Sequence, residues 1–285
     1  MIAVVFPGQG SQTPGMGAEE FARYPALTRE ADEILGYSIA KLCLENPDGR
    51  LGNTKYTQVA LYVVNALQYL RWYQDGNEGR FFAGHSLGEY NALFAAGALD
   101  FGTGLRLVKR RGELMAAAGG GGMRAVLGVD ADTVREVLAE AGADQVDLAN
   151  LNTHKQVVLA GPEPGLDVAE AALKAASARC VKLNVSGPFH SRYMAPAADA
   201  FAAEVRAVRF GELTSTVVSN AYALPYAQDR IADTLVAQIT SSVRWTETVE
   251  YLMDQGVEEF VQIGPGRVVS DMVRQIGRQA VKAAA

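Results

Sequence analysis

Residues 81–99 read FFAGHSLGEYNALFAAGAL and contain Gly84-His85-Ser86-Leu87-Gly88, a G-x-S-x-G pattern. The pentapeptide alone is compatible with an ordinary glycine-rich turn. Its flanks argue for more. Phe81-Phe82-Ala83 is a short apolar run suited to a strand, and Glu89 to Leu99 suits a helix. Strand, sharp turn and helix in that order form a nucleophile elbow, with the serine exposed at the turn. The glycines permit the tight backbone and keep side chains away from the serine. The helix N-terminus points free amides, with partial positive charge, at the place where an oxyanion would form.

Outward from the elbow the chain alternates strands and helices. Ile2 to Phe6 is a continuous apolar run, as in a buried parallel strand, and Pro7 to Gly17 is loop chemistry. Gln58 to Tyr73 is apolar nearly all round and predicts a buried helix; Thr103 to Ala118 predicts a helix with mixed faces. Four glycines, Gly119 to Gly122, mark a boundary and read as a flexible link. Beyond them the pattern is strand (Met123 to Val129), helix (Asp130 to Ala141), strand (Val146 to Asn150), strand (Gln156 to Ala160), helix (Gly165 to Ser177) and strand (Ala178 to Leu183). Leu151 to Lys155 is the connection between the middle strands. This β-α-β-β-α-β order predicts a ferredoxin-like unit. The expected organisation is therefore α/β: an α/β-hydrolase-like catalytic domain with a parallel sheet over residues 1–122 and 189–285, and an inserted ferredoxin-like subdomain over 123–188. The closing segments read as a helix (Pro196 to Val208), a strand (Thr216 to Ser219), two helices (Ile231 to Gln238 and Thr246 to Gln255), a strand (Glu259 to Ile263) and a helix from Val268, with a frayed end over Ala280 to Ala285.

Composition narrows the class. The 285 residues are 49% apolar and 20% charged, ordinary for a globular enzyme with a sizeable core. A formal charge of −6 argues against nucleic acid or an anionic membrane as partner. No apolar run approaches the roughly 20 residues of a membrane span. The start, MIAVVFPGQG, lacks a basic leader and a long apolar core, so a cytoplasmic protein is expected. Cys43 and Cys180 are far apart and read as free thiols in a reducing compartment.

A serine needs a base. The histidines are His85, His154 and His190, and none has a metal-ligand spacing such as HExxH. His85 adjoins Ser86, but neighbouring side chains in an elbow point apart. His154 sits in a polar connection, where solvent exposure is expected. His190, in Ser186-Gly187-Pro188-Phe189-His190-Ser191, lies where the insert rejoins the main unit, and such junctions line clefts. It is the candidate base. Gly8, Gly10 and Gly15 suggest a dinucleotide fingerprint, but Thr13 stands where G-x-G-x-x-G needs its third glycine. Gly119 to Gly122 is no phosphate cradle, because no Lys-Ser/Thr follows.

Six motifs carry a family resemblance: FPGQGSQ (6–12), GHSLGE (84–89), RGELM (111–115), GPFHS (187–191), VRWTETVEYL (243–252) and IGPGRVV (263–269). In this order and over nearly the whole chain, they resemble the malonyl-CoA:acyl-carrier-protein transacylases, and among them the stand-alone, trans-acting acyltransferases of polyketide assembly lines. The resemblance implies malonyl transfer from malonyl-CoA, through an ester on Ser86, to the phosphopantetheine thiol of an acyl carrier protein, for polyketide or fatty acid synthesis. It implies no tightly bound cofactor and no metal. His190 would be the base and Arg111 the partner of the malonyl carboxylate. From the residues alone, Lys109-Arg110-Arg111 reads as a solvated basic face. The backbone amides of Gln9 and Leu87 would form the oxyanion hole. Gln238 would orient His190 through its backbone carbonyl, in place of an acidic third member. Phe189 would crowd the α-methyl branch of methylmalonyl. Lys109, Arg110, Arg192, Arg267 and Arg274 flank these motifs and are candidates for meeting an acidic carrier. Two departures, Arg124 in the first insert strand and the His154-Lys155 turn, bear on the carrier-facing side rather than the chemistry. An acyl hydrolase is the first rival reading, though Arg111 argues against it; a silent docking module is the second, though Ser86 and His190 together argue against that.

Overall fold

The computed structural model describes residues 1–283, with side chains through Gln279. In chain order its elements are β1 (Ile2–Phe6), α1 (Ala18–Arg23), α2 (Pro25–Leu35), α3 (Ile39–Glu45), α4 (Thr54–Gln74), β2 (Phe81–Gly84), α5 (Gly88–Ala95), α6 (Phe101–Ala117), β3 (Gly122–Leu127), α7 (Ala131–Glu140), β4 (Asp147–Thr153), β5 (Gln156–Gly161), α8 (Glu163–Ala175), β6 (Arg179–Lys182), α9 (Ala195–Arg206), β7 (Thr216–Val218), α10 (Ile231–Thr240), α11 (Trp245–Asp254), β8 (Glu259–Gln262) and α12 (Val268–Ala283).

The larger unit is built on a parallel sheet of order β7-β2-β1-β8. Its central strands, IAVVF and FFAG, are apolar throughout because helices cover both faces. Val4, Phe6 and Phe82 face α4, α5 and α6, while Ala3, Val5, Phe81 and Ala83 face α11 and α12. Helix α4 is buried over most of its length, as its all-round apolar sequence requires, and Asn53 caps it by accepting from the Lys55 amide. Strand β1 pairs β2 from Ala3↔Phe81 to Phe6↔Gly84, which sets the loop after β1 beside the elbow after β2.

The smaller unit is an antiparallel sheet of order β4-β5-β3-β6 with α7 and α8 packed on it around Val126, Val134, Leu138, Leu159, Leu166 and Leu173. Connectivity and spatial order together are ferredoxin-like, as expected. Asp130 caps α7 by accepting from the Thr133 amide.

Three local expectations change. Strand β4 runs on to Thr153, so the connection shrinks to His154-Lys155. The hairpin pairing with β5 continues to Thr153↔Gln156, and the other edge of β4 is held by the second unit, the Leu151 amide donating to the Val243 carbonyl (2.9 Å) and the Val243 amide to the Ala149 carbonyl (2.8 Å). Helix α5 stops at Ala95 rather than Leu99, with Gly97 left-handed (φ 80°). Of the four glycines, Gly119 and Gly120 face open space, but a Cβ on Gly121 would lie 2.4 Å from the Gly161 carbonyl oxygen, and Gly122 opens β3. Half of the supposed link is therefore packed core. Over the frayed end expected from Ala280 to Ala285, helix α12 continues to Ala283, and residues 284–285 lie outside the described residues.

Candidate active site

The glycines of the elbow are explained by what they touch. A Cβ on Gly84 would lie 1.9 Å from the Gly88 carbonyl carbon, and one on Gly88 would lie 2.2 Å from the Phe6 carbonyl oxygen. A Cβ on Gly8 would lie 2.4 Å from the His85 carbonyl oxygen. Only bare Cα atoms let β1, its following loop and the elbow approach this closely. Ser86 is left-handed (φ 53°), the strained conformation of a nucleophile at a sharp turn. Asn220, just after β7, braces it: the Ser86 amide donates to Asn220 Oδ1 (2.7 Å), and Asn220 Nδ2 donates to the Gly84 carbonyl (2.7 Å).

Ser86 Oγ and His190 Nε2 are 2.7 Å apart, and His190 Nδ1 lies 3.0 Å from the Gln238 carbonyl oxygen. A carbonyl accepts only, so the ring proton belongs on Nδ1. That leaves the Nε2 lone pair facing the serine hydroxyl. His190 is also left-handed (φ 57°), so two strained residues face each other. Burial, with the Arg111 charge adding to it, lowers the His190 pKa from 6.5 to about 3, so the imidazole is a neutral base.

Arg111, on α6, is fully buried. Its Nη1 donates to Gln58 Oε1 (2.7 Å), and its Nη2 donates to Gln238 Oε1 (3.0 Å) and to Ser86 Oγ (3.2 Å). Its Nε has no acceptor among the described residues, and the guanidinium lies 5.7 Å from the centre of the Tyr90 ring. Its hydrogen-bond partners among the described residues are thus amide and hydroxyl oxygens, with no carboxylate among them. Burial pushes its pKa down, partly offset by the Tyr90 and Glu89 groups nearby, and the site holds a buried cation with no directly paired carboxylate.

Gln9, Leu87 and Phe189 line the same cavity of about 100 Å³, with Met115, Met123 and Val185 as its apolar wall. The Gln9 and Leu87 amides donate to no acceptor among the described residues, and both residues line the cavity. Its residues come from both units: Met123 lies on β3, while Ser86 and Arg111 belong to the larger one.

His85 also lines this cavity, but its ring is held away from Ser86, with its Nε2 2.8 Å from Asn152 Oδ1 and edge-on to Trp245. Other expected residues fall elsewhere. His154 is half-buried rather than solvated, paired with Glu250 at 2.7 Å. Arg124 is buried in an ion network with Glu163, Asp167 and Glu170, a role inside the smaller unit. Arg110 pairs with Glu204, Arg192 with Asp147 and Arg274 with Asp271, while Lys109 donates to the Ile34 carbonyl. Arg192 lies at the outer cleft that reaches His190. Sequence reasoning missed Gln58, Asn220, Glu89 and Tyr226. Glu89 directly follows the last elbow glycine, Gly88, in the motif GHSLGE.

The acyl transferase domain model matches residues 3–285. The chain is 47% identical to the polyketide biosynthesis malonyl CoA-acyl carrier protein transacylase PksC of Bacillus subtilis, covering 98% of each chain. It is 50% identical to the polyketide biosynthesis protein PksE of the same organism, covering 98% of this chain but 37% of PksE. Among solved structures, the malonyl CoA-acyl carrier protein transacylase of Burkholderia pseudomallei superposes with a TM-score of 0.95 at 44% identity, over 98% of both chains. The matched span takes in the whole site, and the chain belongs to the malonyl CoA-acyl carrier protein transacylase family of acyl transferase domains.

Proposed function

We propose that this protein moves a malonyl group from coenzyme A to the phosphopantetheine thiol of an acyl carrier protein, by a ping-pong route through an ester on Ser86. The observation that carries this reading is the placement of Ser86 Oγ within hydrogen-bond reach of both His190 Nε2 (2.7 Å) and a buried Arg111 with no directly paired carboxylate (3.2 Å). A general base activates the serine; an unpaired guanidinium selects an acyl group that carries its own carboxylate.

Ser86 Oγ attacks the thioester carbonyl while His190 Nε2 takes its proton. The Gln9 and Leu87 amides receive the oxyanion. On collapse the carbon–sulfur bond breaks and His190 returns the proton to the coenzyme A thiolate, leaving malonyl-serine. The carrier thiol then attacks the ester, gives its proton to His190, and the second collapse hands that proton back to Ser86 Oγ. Throughout, His190 keeps its Nδ1 proton on the Gln238 carbonyl.

Within this reading, residues 1–122 and 189–285 form the catalytic unit and 123–188 the insert over the cleft. The protein acts in trans on carrier domains of a polyketide synthase, as its likeness to PksC suggests, and is similar to the disorazole synthase acyltransferase. The carrier approaches the outer cleft beside Arg192, where its pantetheine arm reaches His190. Because Arg192 already holds Asp147, the charge left for an acidic carrier is modest.

Incubation with radiolabelled malonyl-CoA in the absence of carrier tests the reading. A persistent labelled enzyme is expected. Rapid free malonate would indicate a hydrolase, and no label a docking module.

A further inference from the structure

Behind the elbow lies an acid that the mechanism above does not use. Glu89 opens the first turn of α5 and is fully buried, yet it pairs with no cation among the described residues. Its carboxylate is held by donors instead. Gln238 Nε2 donates to Oε2 (2.5 Å), the Tyr226 hydroxyl donates to Oε1, and the Asn220 amide sits 3.3 Å from both oxygens. Gln238 Nε2 also donates to the Ser86 carbonyl (2.8 Å), while its Oε1 accepts from Arg111 Nη2 (3.0 Å).

A glutamine amide has two faces, and its neighbours decide which way round it sits. Here both acceptors, the Glu89 carboxylate and the Ser86 carbonyl, lie on one side. They claim the NH₂, so the amide oxygen must face Arg111. We infer that Glu89 is a positioning residue: by fixing the orientation of the Gln238 side-chain amide, it holds the Arg111 guanidinium where the substrate carboxylate meets it. This rests on the malonyl-transfer reading and deepens it.

The charge matters here. With a neutral group at position 89 the charge-assisted bond to the Gln238 NH₂ is lost and the Ser86 carbonyl holds that NH₂ alone, so the amide oxygen that anchors Arg111 Nη2 is held less firmly. Such a neutral state is within reach of the native acid. Burial raises the Glu89 pKa from 4.5 to about 7, opposed by the bonds from Tyr226, Gln238 and Asn220 and by the Arg111 charge. The titratable groups facing it are Tyr226, Tyr90 on its own helix, and Arg111. Burial holds both tyrosines far above neutrality in their protonated form, and Arg111 stays cationic, so Glu89 is the member of this set that changes charge between pH 6 and 8.

The test compares acyl-enzyme formation from malonyl-CoA and from acetyl-CoA, with no carrier present. Acetyl lacks the carboxylate, so the malonyl:acetyl rate ratio isolates Arg111 placement. Any effect on His190 or on the elbow cancels. In the wild type the ratio should fall up to tenfold between pH 8 and pH 6, as Glu89 takes its proton. In Glu89→Gln, shown to be folded by its thermal midpoint, the ratio should be at least tenfold below the wild type at pH 8 and flat with pH. A folded Glu89→Gln enzyme with the wild-type ratio overturns the inference. If that variant does not fold, the wild-type profile decides alone, and a ratio that is flat from pH 8 to pH 6 overturns it. Failure of the wild type to load malonyl at all would instead refute the transfer reading beneath.

Discussion

Replacing Arg111 with alanine isolates the step that makes this site a malonyl site. In the structure the guanidinium is fully buried, anchored by Gln58 and Gln238, and reaches Ser86 Oγ at 3.2 Å. A malonyl carboxylate bound beside Ser86 would take charge-assisted bonds from Nη2 and the unpartnered Nε. Without the cation, that carboxylate is buried and alone, a loss of about 2–5 kcal/mol. The free enzyme, however, is relieved of a cation that burial already disfavours, as its lowered pKa records. The net effect should lie in the lower half, about 2–3.5 kcal/mol, or roughly 30- to 400-fold in kcat/KM for malonyl-CoA. Acetyl-CoA should behave differently. The Arg111 charge helps to hold the His190 pKa down, so its removal makes the base stronger, and acetyl loading should be unchanged or faster. Rapid-quench measurement of both acyl-enzymes gives the two rates. A variant that retains the wild-type malonyl:acetyl ratio would refute the carboxylate clamp.

His190→Ala should slow loading of either thioester by roughly 10²–10⁴-fold without unfolding the chain, read by the same assay and a thermal melt. Because the His190 pKa is lowered to about 3, the base is neutral across the working range. Loading from acetyl-CoA should therefore show no inflection near 6.5 as pH falls from 8 to 5; a half-maximal rate there would contradict the burial effect. Phe189 lines the cavity, and Phe189→Ser should narrow the malonyl preference over methylmalonyl by about 1–3 kcal/mol, scored by mass spectrometry of the carrier after competition. Gly88→Ala puts a methyl 2.2 Å from the Phe6 carbonyl oxygen and should destabilise by about 3 kcal/mol or more; an unchanged denaturation midpoint would show that the crossing of β1 and the elbow is not tight.

The parts of this site that sequence made legible are those whose chemistry is local. Ser86 is announced by two glycines and its flanking elements, and the insert by an alternation of strand and helix periods. The packing then supplies reasons that the pattern lacked: Gly84 and Gly88 touch each other and β1. What stayed hidden acts across long gaps in sequence. Asn220 reaches Ser86 from 134 residues away, and the Glu89–Gln238 bond spans 149. Neither polar residue carries a periodic signal. One clue was available for Glu89: an acid opening a mostly apolar stretch, EYNALFAAGAL, must find donors when buried. The partner on the outer edge of β4 was hidden for the same reason, since it is Val243 of the other unit. Arg111 was ambiguous on its own residues because a K-R-R run is usually solvated; α6 turns Arg111 inward while Arg110 stays on the surface with Glu204.

The central claim is that Ser86 carries the acyl group between two thiols. The most direct measurement loads the enzyme with labelled malonyl-CoA, removes the excess, maps the label to a peptide, and chases with phosphopantetheinylated carrier protein. The account predicts one labelled site at Ser86, none in Ser86→Ala, and transfer to the carrier at least as fast as overall turnover. Label retained by Ser86→Ala, or an ester that the carrier discharges more slowly than turnover, would contradict it.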